Sequence, residues 1–459
     1  MRNISYLCNP KETITVFYKP LKLMKAKLIE KKYLLTFILV TSLFALWGFA
    51  NDFTNPMVAA FRTVMELSNF KASLIQFAFY GGYATMAIPA ALFIRKYSYK
   101  SGILIGLALY ATGALLAMPA AQQQSFLFFC FALYILTFGL AFLETTANPF
   151  ILSLGAKENS TRRLNMAQAF NPVGSLTGMA VASLIVLPNL LSDERDAAGN
   201  LTFAAKEVAE KASIRVHDLE AIRTPYIVIG LIVLVVFFIF LFKKMPKTES
   251  EELKAQGKRR AIKDTLSNLW HNHNYRFGVT AQFFYVGAQI MCWTFIIQYA
   301  ERLGISWAKA QMFNIAAMSL NLTGRFVGTY IMKYVNSRLL LAIFAVGASV
   351  CTLGAIFIDG MLGLYSLVLI SLFMSIMFPS IYGIALENVE TPDTNLGAAF
   401  LVMSIVGGAI LPPLQGAIID QQTIMGHPAV NVSFLLPLAC FLYILGYGYR
   451  SYVKIENRK

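Results

Sequence analysis

TPYIVIGLIVLVVFFIFLFKKMPKTESEELKAQGKRRAIKD, residues 224–264, decides the fold. Its first part, 224–242, carries no charge and is close to the roughly 20 apolar residues that one helix needs to cross a hydrocarbon core. Its second part is dense in lysine and arginine. A basic stretch directly after a span belongs on the cytoplasmic side by the positive-inside rule. It also falls midway along the chain, so it reads as a linker between two halves.

Outward from that linker, apolar segments repeat on both sides. Before it they run at about 33–64, 70–94, 102–121, 125–155, 163–187 and 222–242. After it they run at about 276–300, 308–333, 338–358, 361–386, 395–419 and 430–451. The sequence therefore predicts an all-α membrane protein with twelve transmembrane helices in two six-helix halves, 33–242 and 276–453. Residues 1–32 form a basic cytoplasmic lead-in, within which Met24 offers a second start. The linker spans 243–275, and 454–459 is a short tail. Arg95, Lys96 and Lys100, and then Lys157, Arg162 and Arg163, make the turns after the second and fourth spans basic. Both termini are thus expected in the cytoplasm. Residues 188–221 mix both signs and are expected outside, between the fifth and sixth spans.

The halves resemble one another. IRKYSYKSGIL (94–104) matches IMKYVNSRLLL (331–341), and NPFILSLG (148–155) matches FPSIYGIA (378–385), each pair six spans apart. Two parallel repeats place a solute site at their interface near mid-bilayer.

Composition narrows the function. Apolar residues make up 57% of the 459 and charged ones 14%, so lipid is the main solvent and little chain remains for a soluble catalytic domain. The net charge of +15 lies beside the spans, which argues against nucleic acid. The five cysteines are scattered and read as small buried hydrophobes; no metal site is expected. No nucleophile motif or phosphate loop is present, so neither an enzyme nor direct ATP drive is predicted.

Two carboxylates stand inside spans, where each is costly. Asp52 lies in LWGFANDFTNP and Glu144 in GLAFLETTANPF. No lysine or arginine is within a helical turn of either. A carboxyl so placed suits proton uptake and release, solute binding, or both. Amides gather near them: Asn51 and Asn55 beside Asp52, and Asn148 one turn after Glu144. Gln76 stands in the second span, Asn165, Gln168 and Asn171 in the fifth, and Asn321 with Arg325 in the eighth. The seventh span adds Gln282, Tyr285, Gln289 and Trp293. Acids, amides and aromatic faces suit a sugar, whose hydroxyls need donors and acceptors and whose C–H face needs an apolar platform. The same amides also serve as glue between helices in lipid.

LETTANPF (143–150), RLNMAQAFN (163–171), FFYVGAQIMCW (283–293), GRFVGT (324–329) and AFLVMSIVGGAILPP (399–413) resemble the fucose permease family of the major facilitator superfamily. The resemblance implies a twelve-helix alternating-access fold and a bacterial inner-membrane sugar/proton symporter, acting as a monomer without a cofactor and coupled to H+. It carries the proton-linked glutamate onto Glu144 and cavity amides onto Gln168 and Asn148. The family's first-span aspartate falls on Asn55, while Asp52 stands where the family has an asparagine. A tenth-span tyrosine of the family falls on Phe378. The expected function is import of L-fucose or a related monosaccharide. Glu144 and Asp52 would handle the proton. Asp52, Asn55, Asn51, Gln76, Asn148, Gln168, Asn171, Tyr285, Gln289, Trp293 and Asn321 would meet the sugar. A uniporter or exporter of another solute, and a sugar sensor without flux, stay open as alternatives.

Overall fold

The computed structural model describes residues 28–67, 69–194, 202–248, 252, 260–305, 307–424 and 426–456. Most of the basic segment 1–32, and much of the linker, therefore lies outside the described residues. Polar caps open several helices by taking up an otherwise orphaned N–H. Ser98 accepts from Ser101 N, Ser125 from Phe128 N and Asn272 from Tyr275 N.

The N-terminal half contains α1 (Leu34–Val64), α2 (Asn69–Lys96), α3 (Tyr99–Gln122), α4 (Phe126–Ser153), α5 (Lys157–Asn189) and α6 (Val208–Phe242). The C-terminal half contains α7 (His273–Arg302), α8 (Trp307–Ile331), α9 (Ser337–Phe357), α10 (Met361–Glu387), α11 (Thr391–Ile419) and α12 (Ala429–Lys454). Ten of these are long and apolar enough to cross a bilayer, and α2 and α8, at 28 and 25 residues, take the second and eighth places. Hydropathy is lower in α8 because Gln311, Asn314, Asn321 and Arg325 form one polar stripe along it.

The repeated turns carry the same contact. Lys96 lies 5.4 Å from the Tyr97 ring centroid, and Lys333 lies 5.4 Å from that of Tyr334. The helices that follow, α3 and α9, are capped by Ser98 and Asn336 respectively.

One reading changes. The polar stretch 188–221 is not all loop, because α6 begins at Val208 rather than near 222. Its first turns bury Ile214, Asp218, Leu219 and Ile222 on one face. The fully buried Asp218 accepts from Leu191 N and Ser192 N, which ties the incoming loop to the helix. A charged but amphipathic run of this kind hides its helical period under low mean hydropathy.

Small residues set the packing of α3 on α4. A Cβ at Gly113 would lie 2.2 Å from Leu136 N, and one at Gly139 would lie 2.4 Å from Tyr110 N. No side chain fits there without moving a backbone, the usual reason for glycine between helices in lipid. Gly113→Ala is therefore expected to cost about 1–3 kcal/mol through overpacking, read as a lower thermal midpoint in detergent. Gly446→Ala, which meets nothing within 4 Å, serves as the control and should leave the midpoint unchanged.

The two halves meet near the end of the bundle that carries the linker. Tyr99 donates to Asn395 Oδ1 at 2.6 Å, Asn165 Nδ2 to Ser380 Oγ at 3.2 Å, and Arg162 Nε to Thr329 O at 3.1 Å. Arg95 donates to Arg260 O. Arg260 in turn grips Glu390 and Asp393 at 2.6 Å each, which fastens the end of the linker to the start of α11.

Candidate functional site

Above that closed end lies a cavity of about 860 Å³ between the halves. It reaches from Gln168 and Arg325 at its floor to Thr294, Phe295 and Ile297 of α7 and Gly416 of α11 near the opposite end.

Helical spacing accounts for its walls. On α1, Trp47 and Asn51 are one turn apart and Asp52 adjoins them. On α5, Gln168, Asn171, Ser175 and Met179 run down one face, and on α8 Gln311, Asn314, Met318, Asn321 and Arg325 do the same. Glu144 comes from α4, Gln289 and Trp293 from α7. Of the predicted residues, Asp52, Asn51, Glu144, Gln168, Asn171, Gln289, Trp293 and Asn321 thus come together around one space.

Two predicted residues stand behind the wall. Asn148 is fully buried and its Oδ1 accepts from Gln168 Nε2 at 2.8 Å, so it positions Gln168. Tyr285 is also fully buried, donates to Met374 O at 3.2 Å and packs edge-on against Phe378. Both sit on the inner faces of their helices, where sequence spacing does not separate a cavity wall from its backing. The side chains of Asn55 and Gln76 lie outside the described residues.

Glu144 is 6% exposed, and that exposure is to the cavity. Among the described residues it forms no hydrogen bond or ion pair. Tyr83 of α2 and Tyr382 of α10 are close enough to feel its charge, so both halves surround it. The Tyr382 hydroxyl is itself buried without a partner among the described residues. Asp52 is near Tyr80 in the same way, and more open to the cavity.

The other polar groups divide into committed and available. Trp293 gives its indole N–H to Ser371 Oγ at 3.1 Å, which leaves its ring face for a ligand. Asn321 gives its amide to Ser371 O at 3.2 Å and keeps a bare Oδ1. Asn171 gives its amide to Phe44 O at 3.2 Å, and Asn51 keeps a bare Oδ1.

Arg325 closes the floor, and two prolines explain how. Proline has no N–H, so the carbonyl four residues before it in a helix goes unpaired. Pro172 frees Gln168 O in the N-terminal half, and Pro379 frees Ser375 O in the C-terminal half. Arg325 donates to both, at 2.6 Å through Nη1 and 2.7 Å through Nε. A single guanidinium from α8 thereby joins the two halves through backbone that proline left open.

Sequence reading picked out Arg325 without assigning it a role, and it passed over Trp47, Tyr80, Tyr83, Gln311 and Asn314. The α8 residues were findable, since 311, 314, 318, 321 and 325 keep a period near 3.5.

Among the described residues, twelve long helices surround a cavity with the Glu144 carboxyl in its wall, the architecture of a multi-pass membrane transporter. Residues 33–412 match the Major Facilitator Superfamily. An L-fucose-proton symporter of Haemophilus influenzae is 60% identical, over 94% of this chain and 99% of its own. That of Escherichia coli is 36% identical over 90% and 92%. A glucose/galactose transporter of Brucella abortus is 29% identical over 91% and 94%. A crystal structure of FucP, a Major Facilitator Superfamily transporter in the outward conformation, superposes with a TM-score of 0.82 at 33% identity, over 92% of this chain and 99% of that one. The chain belongs to the fucose permease family of the Major Facilitator Superfamily and is a multi-pass membrane transporter, not an enzyme.

Proposed function

We propose that the protein imports L-fucose with protons across the cytoplasmic membrane of a bacterium. The observation that carries this reading is Glu144, a carboxyl in the cavity wall without a cationic partner among the described residues, in a chain so similar to L-fucose-proton symporters. The positive-inside rule, applied to the basic linker, supports a cytoplasmic position for the closed end. The cavity is therefore read as facing outward, the state of the FucP structure it matches.

Each group then has a task. Asp52, Asn51, Gln289 and Asn321 exchange hydrogen bonds with sugar hydroxyls, while Trp47 and Trp293 offer ring faces to the C–H side. Glu144 takes a proton from the outer cavity. Neutral, it can pass through the low-dielectric interface as the halves rock. The linker end must then open, which breaks the Arg325–Gln168 and Tyr99–Asn395 bonds, and the proton leaves to the cytoplasm with the sugar. One chain supplies the whole path, so a monomer suffices.

Uptake of labelled L-fucose into proteoliposomes with the interior alkaline tests this reading. Uptake should rise with the imposed gradient, and uptake indifferent to it would refute proton coupling. Phe378, which lacks the hydroxyl of the family tyrosine, and the Brucella abortus relative favour a second reading in which D-galactose or D-glucose is preferred. Competition by these sugars separates the two. On either reading, Asp52→Asn replaces a charge-assisted acceptor with a neutral one of the same shape. The apparent sugar affinity should fall roughly 10- to 150-fold, the equivalent of about 1.5–3 kcal/mol, measured as half-saturation in counterflow.

A further inference from the structure

A second cavity lies away from the transport path. It is an apolar groove of about 800 Å³ between α7, α11, α12 and the short helix Ile262–His271, lined chiefly by Leu266, Trp270, Phe277, Val279, Phe400 and Tyr443. It opens on the perimeter of the C-terminal half at the linker end, where Trp270 is 68% exposed and Leu266 42%.

We propose that this groove seats an anionic phospholipid, with its acyl chains against the apolar lining and its phosphate between two arginines. Arg276 lies with its guanidinium carbon 5.2 Å from the Trp270 ring centroid, and Arg450 lies 4.7 Å from that of Phe277. Neither arginine has a carboxylate partner among the described residues, and no acidic residue lines the groove among them. His271 and His273 stand at its rim, and His273 Nδ1 is 2.7 Å from Arg276 Nη2. The N-terminus of α7 opens here as well, adding its partial positive charge. Among the described residues, the two arginines therefore bring positive charge to the groove with no carboxylate there to balance it.

The surroundings select the counter-charge. At this level of a membrane helix, with an exposed tryptophan marking the interface, the anion within reach is a lipid phosphate. With no carboxylate to receive an ammonium group, the site favours phosphatidylglycerol over zwitterionic headgroups. A soluble peptide would have to displace acyl chains from the same groove. The short helix Ile262–His271, which the sequence had hidden in the linker, is thus held at the bilayer surface by lipid as well as by the Arg260 ion pairs.

Native mass spectrometry of the full chain, released from detergent with dioleoyl phosphatidylglycerol or dioleoyl phosphatidylcholine, tests this. The protein should retain phosphatidylglycerol preferentially, and inorganic phosphate should not displace it. Arg276→Gln and Arg450→Gln should each weaken retention about fivefold, the effect of one interfacial cation, with Lys309→Gln as a charge-matched control near the other end. L-fucose counterflow by the same variants in phosphatidylcholine vesicles would establish that they are folded. Equal retention by the folded double variant, no headgroup preference, or displacement by phosphate would each overturn the proposal.

Discussion

Glu144→Gln will abolish gradient-driven accumulation of sugar while leaving exchange of sugar across the membrane intact. Glutamine keeps the size and a hydrogen-bonding carbonyl but holds no exchangeable charge, so it mimics the protonated state permanently. With one proton carried per sugar, a difference of one pH unit is worth about 1.4 kcal/mol and sustains roughly tenfold accumulation. The variant should show no accumulation at all, at any imposed gradient. Counterflow needs the loaded carrier to reorient, and no proton release, so it should persist at a rate within several-fold of wild type. Both assays run on the same proteoliposomes, which separates uncoupling from misfolding. Loss of both activities would make Glu144 a binding or structural residue, and accumulation by the variant would place the coupling elsewhere.

The second large effect is expected at Arg325. Its two carbonyl partners exist because Pro172 and Pro379 cannot donate, and one of them belongs to the opposite half. A hydrogen bond from a charged donor is worth about 1.5–3 kcal/mol. Arg325→Met removes the link between halves and leaves Gln168 O bare, so the closed floor should lose about that much relative to the open one. This corresponds to a roughly 10- to 150-fold shift in the balance of the two states. A cysteine at Ser380, which sits against Asn165 at the closed end, reports the shift through its rate of modification by a thiol reagent from the linker side. That rate should rise by at least tenfold in the Arg325→Met background. All five natural cysteines must be replaced first, Cys8 included; the four that the structure describes are free, and Cys130 and Cys351 are partly exposed. An unchanged rate would mean that Tyr99, Arg162 and Asn165 hold the floor without the guanidinium.

These expectations mix what could be read in the sequence with what could not. Glu144 was legible because a carboxylate in an apolar run is costly, and cost alone marks it. The paired turns at 94–104 and 331–341 were legible because they repeat. Asn148 and Gln168 were not separable, since both are amides on inward faces and only the packing shows that one supports the other. Tyr285 likewise offers a hydroxyl in sequence and a buried one in space. The start of α6 was misplaced because the charges of its exposed face dilute the apolar signal of Ile214, Leu219 and Ile222. The role of Arg325 needed three helices at once: its own, and the two carbonyls that prolines on α5 and α10 leave unpaired.

On this mechanism sugar and proton move together through the cavity around Glu144. Adding L-fucose to de-energised, weakly buffered proteoliposomes while recording the external pH shows whether they do. A transient alkalinisation is expected to follow sugar entry and to be absent in Glu144→Gln. Sugar entry with no pH change in the wild-type protein would contradict this coupling.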